Sequence, residues 1–128
     1  MSTSGLIVIT YSDGIVAKLI AGCNGQQTPA LAKILTHLAP GLSALTPLED
    51  LYQVALKCKF GCEACLVVMN SARAVHAFGH DLPQRYWDTF WQMDGNPRLP
   101  AEKDRGFDFK YVLNLRQLDK EVSKHGQG

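Results

Sequence analysis

The 128-residue sequence predicts one α+β domain: an N-terminal β-hairpin and a C-terminal strand in an antiparallel sheet, packed against three or four helices. Three observations carry that expectation. Two apolar, β-branched runs flank Asp13-Gly14; Thr-Pro twice precedes a stretch with helical periodicity; and residues 107–115 alternate between apolar and mostly polar side chains. The length suits one core rather than two, and no Ser/Pro-rich linker divides it, so residues 1–128 read as a single domain.

Residues 6–12 and 15–21 are the expected hairpin, because Asp-Gly favours the positive φ angles of a two-residue type I′ turn. That register sets Ser12 opposite Ile15 and Leu6 opposite Ala21. One face then carries Leu6, Val8, Thr10, Ile15, Ala17 and Leu19, the other Ile7, Ile9, Tyr11, Val16, Lys18 and Ile20. Both faces are mainly apolar and ask for cover on both sides, from the chain's own helices or from a second subunit.

The first helix is expected over residues 30–38, with Thr28 as N-cap, Pro29 at the first position and a core-facing stripe of Leu31, Ile34, Leu35 and Leu38. The second covers residues 48–56, where Thr46 and Glu49 have capping-box spacing. Residues 62–78 combine an apolar centre with Ala64, Ala72, Ala74 and Ala77, a composition that favours a third helix. A fourth, from Asp81 to Met93, gathers Tyr86, Trp87, Phe90 and Trp91 on one side. Residues 96–106 read as a polar loop, 107–115 as a half-buried strand and 117–128 as a frayed, charged tail.

The formal net charge of +1 supplies no global field for recruiting nucleic acid or anionic lipid, which makes nucleic acid an unlikely partner. Charge is nevertheless uneven, with nine charged side chains up to residue 80 and sixteen after it. Residues 1–4 carry no positive side chain and the apolar run after them is short, so neither a signal peptide nor a membrane span is expected. A cytoplasmic setting follows by default, and there thiols, a metal site or a redox pair are expected before structural disulfides.

Three groups of residues have the chemistry of a site. Cys62-x-x-Cys65 and His76-x-x-x-His80 together offer two thiolates and two imidazoles, a donor set suited to tetrahedral zinc. One continuous helix over 62–78 would hold Cys65 and His76 roughly 16 Å apart along its axis, so this reading requires a break at Asn70-Ser71. The plainer alternative makes Cys58, Cys62 and Cys65 small buried hydrophobes at i, i+4 and i+7. The same Cys-x-x-Cys also admits a redox pair, although residues 57–60 make a poor preceding strand. Cys23 sits in a loop leading from a strand to a helix start, where a lowered thiol pKa would make it a nucleophile; no partner at the required spacing supports that role. Finally, Tyr86, Trp87, Phe90 and Trp91, flanked by Arg85 and Arg98, form an aromatic group suited to gripping a protein partner.

The function expected from these features is a small non-enzymatic binding or regulatory protein acting through the aromatic surface, with a second copy of the chain as a partner. A zinc-binding module using Cys62, Cys65, His76 and His80 is the alternative, and a Cys23-dependent enzyme a weaker one.

Overall fold

The computed structural model describes residues 3–91 and 107–116. Within them the chain runs β1 (Gly5–Thr10), β2 (Val16–Ala21), α1 (Thr28–Leu38), α2 (Leu48–Lys57), β3 (Leu66–Met69), β4 (Ala74–His76), β5 (His80–Asp81), a short helical turn α3 (Trp87–Trp91) and β6 (Phe109–Asn114). The strands form one six-stranded sheet in the order β5-β4-β3-β2-β1-β6. The α+β class therefore holds, with two corrections. Among the described residues two full helices form rather than three or four, and the sheet is mixed, because β6 lies parallel to β1 with Gly5 beside Phe109 and Thr10 beside Asn114.

The first hairpin forms with a three-residue loop in place of the expected two. The Tyr11 N–H donates to the Ile15 carbonyl at 2.8 Å, which leaves Ser12-Asp13-Gly14 as the connection, with Gly14 at φ +89°. This is the glycine position that closes a three-residue turn. Leu6 consequently pairs with Ile20 and Thr10 with Val16. A register change of one residue exchanges the faces of one strand relative to the other. Ile7, Ile9 and Tyr11 thus share a face with Ala17, Leu19 and Ala21, and the opposite face carries Leu6, Val8 and Ile20.

Each face is covered by the chain itself. On the first, α1 contributes Leu31, Ala32 and Leu35 and α2 contributes Leu48, Leu51, Tyr52 and Ala55, while Phe60 fills the space after α2. Of the predicted α1 stripe, Leu31 and Leu35 are fully buried, but Ile34 and Leu38 are exposed. On the second face Leu6, Val8, Ile20, Val67, Met69 and Ala74 pack against Leu82, Trp87, Phe90, Trp91 and Phe107. The need for a second subunit, inferred from a hairpin apolar on both sides, therefore loses its premise.

Residues 62–78 are the largest departure from expectation. They form β3, a turn and β4 rather than a helix. Leu66-Val67-Val68-Met69 is buried on both faces and so shows no alternation. The chain then reverses at Asn70, whose side-chain oxygen accepts from the N–H groups of Ala72 and Arg73 at 2.8 and 2.9 Å. The alanines at 72, 74 and 77 fall in a turn, a strand and a loop, so their helical spacing has no structural meaning.

The predicted caps also find other partners. The Thr28 hydroxyl donates to the Gly25 carbonyl at 2.6 Å, and that of Thr46 accepts from the Ser43 N–H at 3.0 Å. Glu49 meets Arg73 in a two-point contact at 3.2 and 3.1 Å, with Asp81 on the same guanidinium, which ties α2 to the β4–β5 hairpin. Hydrogen bonding to Arg73 holds the Glu49 carboxyl below its ordinary pKa. A carboxylate so stabilised contributes to folding above its unfolded pKa, about 4.3, and that contribution fades as the pH falls through the lowered folded value. Because the pair is exposed, Glu49→Gln should cost no more than about 1 kcal/mol at neutral pH. Urea unfolding of wild type and variant should converge in strong acid; a gap that persists there would assign the effect to something other than this ion pair.

The end of the helix predicted through Met93, the polar loop at 96–106 with Arg98, and the charged tail at 117–128 lie outside the described residues. No helix among the described residues is long and apolar enough to cross a membrane.

Candidate functional site

At one end of the sheet the loop leaving β2 meets the loop entering β3. Gly22-Cys23-Asn24-Gly25 follows β2, with Asn24 in the left-handed region at φ 56° and its side chain donating to the Gly61 carbonyl at 3.4 Å. Gly25 fixes this loop against the first strand: its N–H donates to the Thr3 carbonyl at 2.8 Å. On the other side, fully buried Phe60 anchors the segment after α2, and the chain turns tightly through residues 62–66. There the Cys62 carbonyl accepts from the N–H groups of Cys65 at 3.1 Å and Leu66 at 2.8 Å. One helical turn at this spacing sets Cys62 and Cys65 on the same side.

Those two thiols meet a third. The Cys23 sulfur lies 2.8 Å from that of Cys65, and the Cys62 sulfur 3.3 Å from it, so Cys65 stands between the other two. All three sulfurs lie within 4.8 Å of one another, and all are free and half-buried. Cys62 also lines an open cleft of about 480 Å³ with Asn24, Lys59, Gly61 and Glu63.

The thiols are not equivalent. Hydrogen bonding with Cys65, reinforced by burial, pushes Cys23 up to about 12. Cys62 moves the other way: hydrogen bonds from Cys23 and Cys65, together with the Ala64 backbone, stabilise its thiolate and lower its pKa. The displacement of Cys23 is opposite to that of an activated nucleophile. Cys58 behaves as the plainer alternative expected: it packs against the core, and burial raises its pKa.

The predicted ligand set assembles only in part. Cys62 and Cys65 come together, but His76 on β4 and His80 on β5 face each other across their own strand pair. Among the described residues, the metal-capable group is Cys23, Cys62 and Cys65, without either histidine. The chain does break at Asn70, as the zinc reading required, yet that break makes a hairpin in which His76 pairs with Val67 on one side and His80 on the other, and neither ring joins the thiol group. Cys23 is the partner that sequence spacing missed, because it lies 42 residues before Cys65. The signal was present in the loop composition of Gly22-Cys23-Asn24-Gly25, which places a cysteine at a strand end beside any neighbouring loop.

The aromatic residues are largely occupied within the fold. Trp87 and Trp91 stack with ring centroids 5.9 Å apart and planes 9° apart, and with Phe90 they pack on the second face of the sheet. The Lys18 ammonium lies 4.6 Å from the Trp91 ring centre and donates to its carbonyl at 2.7 Å. Tyr86, beneath the Arg85 guanidinium, remains 44% exposed.

No protein-family model, curated protein or solved structure matches the chain.

Proposed function

We propose that the protein is a small metal-binding module whose centre is the thiol group of Cys23, Cys62 and Cys65, with zinc as the favoured ion. The observation that carries this reading is the convergence of three sulfurs from two separate loops within 4.8 Å of one another. Sulfur ligands stand about 2.3 Å from zinc, which sets them roughly 3.8 Å apart around a tetrahedral ion. The cluster would open by about 1 Å at its closest pair to reach that geometry. Cys62 reaches the thiolate ligand form most readily, whereas Cys23 must release its proton as the metal binds.

Three protein ligands leave a fourth position for water or for a donor reached from the cleft beside Cys62. This reading keeps the zinc module expected from the sequence and exchanges its two histidines for Cys23. A partner surface on the aromatic segment has less support, because Trp87, Phe90 and Trp91 are packed on the sheet.

Reduced, chelator-stripped protein titrated with zinc against a chromogenic competitor tests the proposal. One zinc per chain is expected, together with a higher melting temperature. Cobalt in its place should give the near-ultraviolet sulfur-to-metal charge-transfer band of thiolate ligation. Zinc well below one per chain, with melting unchanged, would sink the reading.

A further inference from the structure

We propose that the same three cysteines form a thiol–disulfide relay that discharges the metal when the protein meets a low-molecular-weight disulfide. The relay rests on the metal reading for its output, the released ion, while its sulfur chemistry follows from the order of the three thiols. Of the three cysteines Cys62 is the residue that lines the open cleft, which makes it the entry point for a reagent. Cys65 stands 3.3 Å behind it, and Cys23 a further 2.8 Å from Cys65. A disulfide bond is about 2.05 Å long, so each step closes by about 1 Å from the metal-free arrangement and by somewhat under 2 Å from sulfurs spread around zinc.

Exchange proceeds by thiolate attack on a disulfide sulfur. The Cys62 thiolate attacks one sulfur of the reagent RS–SR; a Cys62–SR bond forms, the RS–SR bond breaks and one RS⁻ leaves. Cys65 then attacks the Cys62 sulfur, forming Cys62–Cys65 and expelling the second RS⁻. Cys23, the least acidic of the three, gives its proton to an expelled RS⁻ and attacks the Cys65 sulfur, so that Cys23–Cys65 forms and Cys62 returns as a thiolate. In sum Cys23 and Cys65 lose two electrons and RS–SR gains them; the two RS⁻ become RSH with the protons of the two thiols in metal-free protein, and with protons from solvent when the thiolates hold zinc. The closer approach of Cys23 to Cys65 makes Cys23–Cys65 the final bond. Two of the three metal ligands are then consumed, and a single remaining thiolate does not retain zinc.

The test uses zinc-loaded protein and oxidised glutathione as the probe, with acid quenching, alkylation and peptide mass mapping, and a colorimetric chelator reporting free zinc in parallel. The expected end state is a Cys23–Cys65 disulfide with Cys62 alkylated, and one zinc released per disulfide. Cys65→Ser should stop at glutathionylated Cys62 and Cys23→Ser at Cys62–Cys65, whereas Cys62→Ser should slow disulfide formation by at least about tenfold. Tryptophan fluorescence of each variant checks the fold, and the wild-type map stands without any variant. A first adduct on Cys23 or Cys65, an adduct on Cys62 that never resolves, or a final Cys62–Cys65 bond would overturn the relay. If zinc binds and no disulfide forms, the relay fails and the metal reading stands. If the disulfide map is as expected in protein that never bound zinc, the metal reading fails and the exchange activity stands.

Discussion

Gly25→Ala is expected to cost roughly 3 kcal/mol, the upper part of the usual range for forcing extra atoms into a packed site, and to weaken zinc binding at the same time. A β-carbon at residue 25 would lie 2.2 Å from the Ser4 carbonyl carbon, 2.3 Å from its oxygen and 2.6 Å from the Gly5 nitrogen. These are backbone atoms and have no rotamer to change. Relief requires the loop to withdraw from β1, which breaks the Gly25-to-Thr3 hydrogen bond and strains the 2.6 Å bond from buried Thr28. Cys23, two residues away, moves with it. Gly41→Ala is the matched comparison, since nothing lies within 4 Å of a β-carbon there and its φ is ordinary; it should be neutral or stabilising by up to about 1 kcal/mol. Urea denaturation of both variants checks the pair. Equal stability for Gly25→Ala and wild type would mean that the loop does not lie against β1.

Cys65→Ser should reduce zinc affinity by more than about 100-fold, beyond what the loss of an outer-shell partner costs. The change removes the sulfur common to both close contacts while keeping size and shape, so the fold should survive it. Cys23→Ser is expected to have an effect of the same order. His76→Ala and His80→Ala should leave affinity unchanged, because the two residues pair on β4 and β5 and neither belongs to the thiol group. Competition titrations across these four variants separate the two ligand sets. Large losses for both histidine variants with none for Cys23→Ser would restore the Cys62, Cys65, His76 and His80 site.

Elements with a strong local signature were legible in the sequence. Alternation at 107–115 announced β6, and the two Thr-Pro starts placed α1 and α2 within two residues. The direction of β6 was hidden, since alternation records which faces a strand presents and not which way it runs. Asp13-Gly14 marked the first turn but fitted two loop lengths; packing on both faces of the sheet decided between them, and every face assignment followed. Residues 62–78 were misread because a strand buried on both sides has no period of two, and neighbouring alanines then tipped the balance toward helix. For the site, spacing could bring together only what lies near in the chain. Cys62 and Cys65 share one turn, whereas Cys23 reaches them through the pairing of β2 with β3, a tertiary event.

The parallel pairing of β1 with β6 has a consequence for how the molecule is made. During synthesis β1 emerges first and can close its hairpin with β2 at once, but its other edge waits for a strand about a hundred residues downstream. Until β6 arrives, a strand rich in Leu, Ile and Val offers one side of its backbone to any extended neighbour. Contacts of such long sequence separation form late and slowly. Yield in the cell should therefore depend on how long the nascent chain stays shielded, and a chain halted before β6 should be prone to pair with others of its kind.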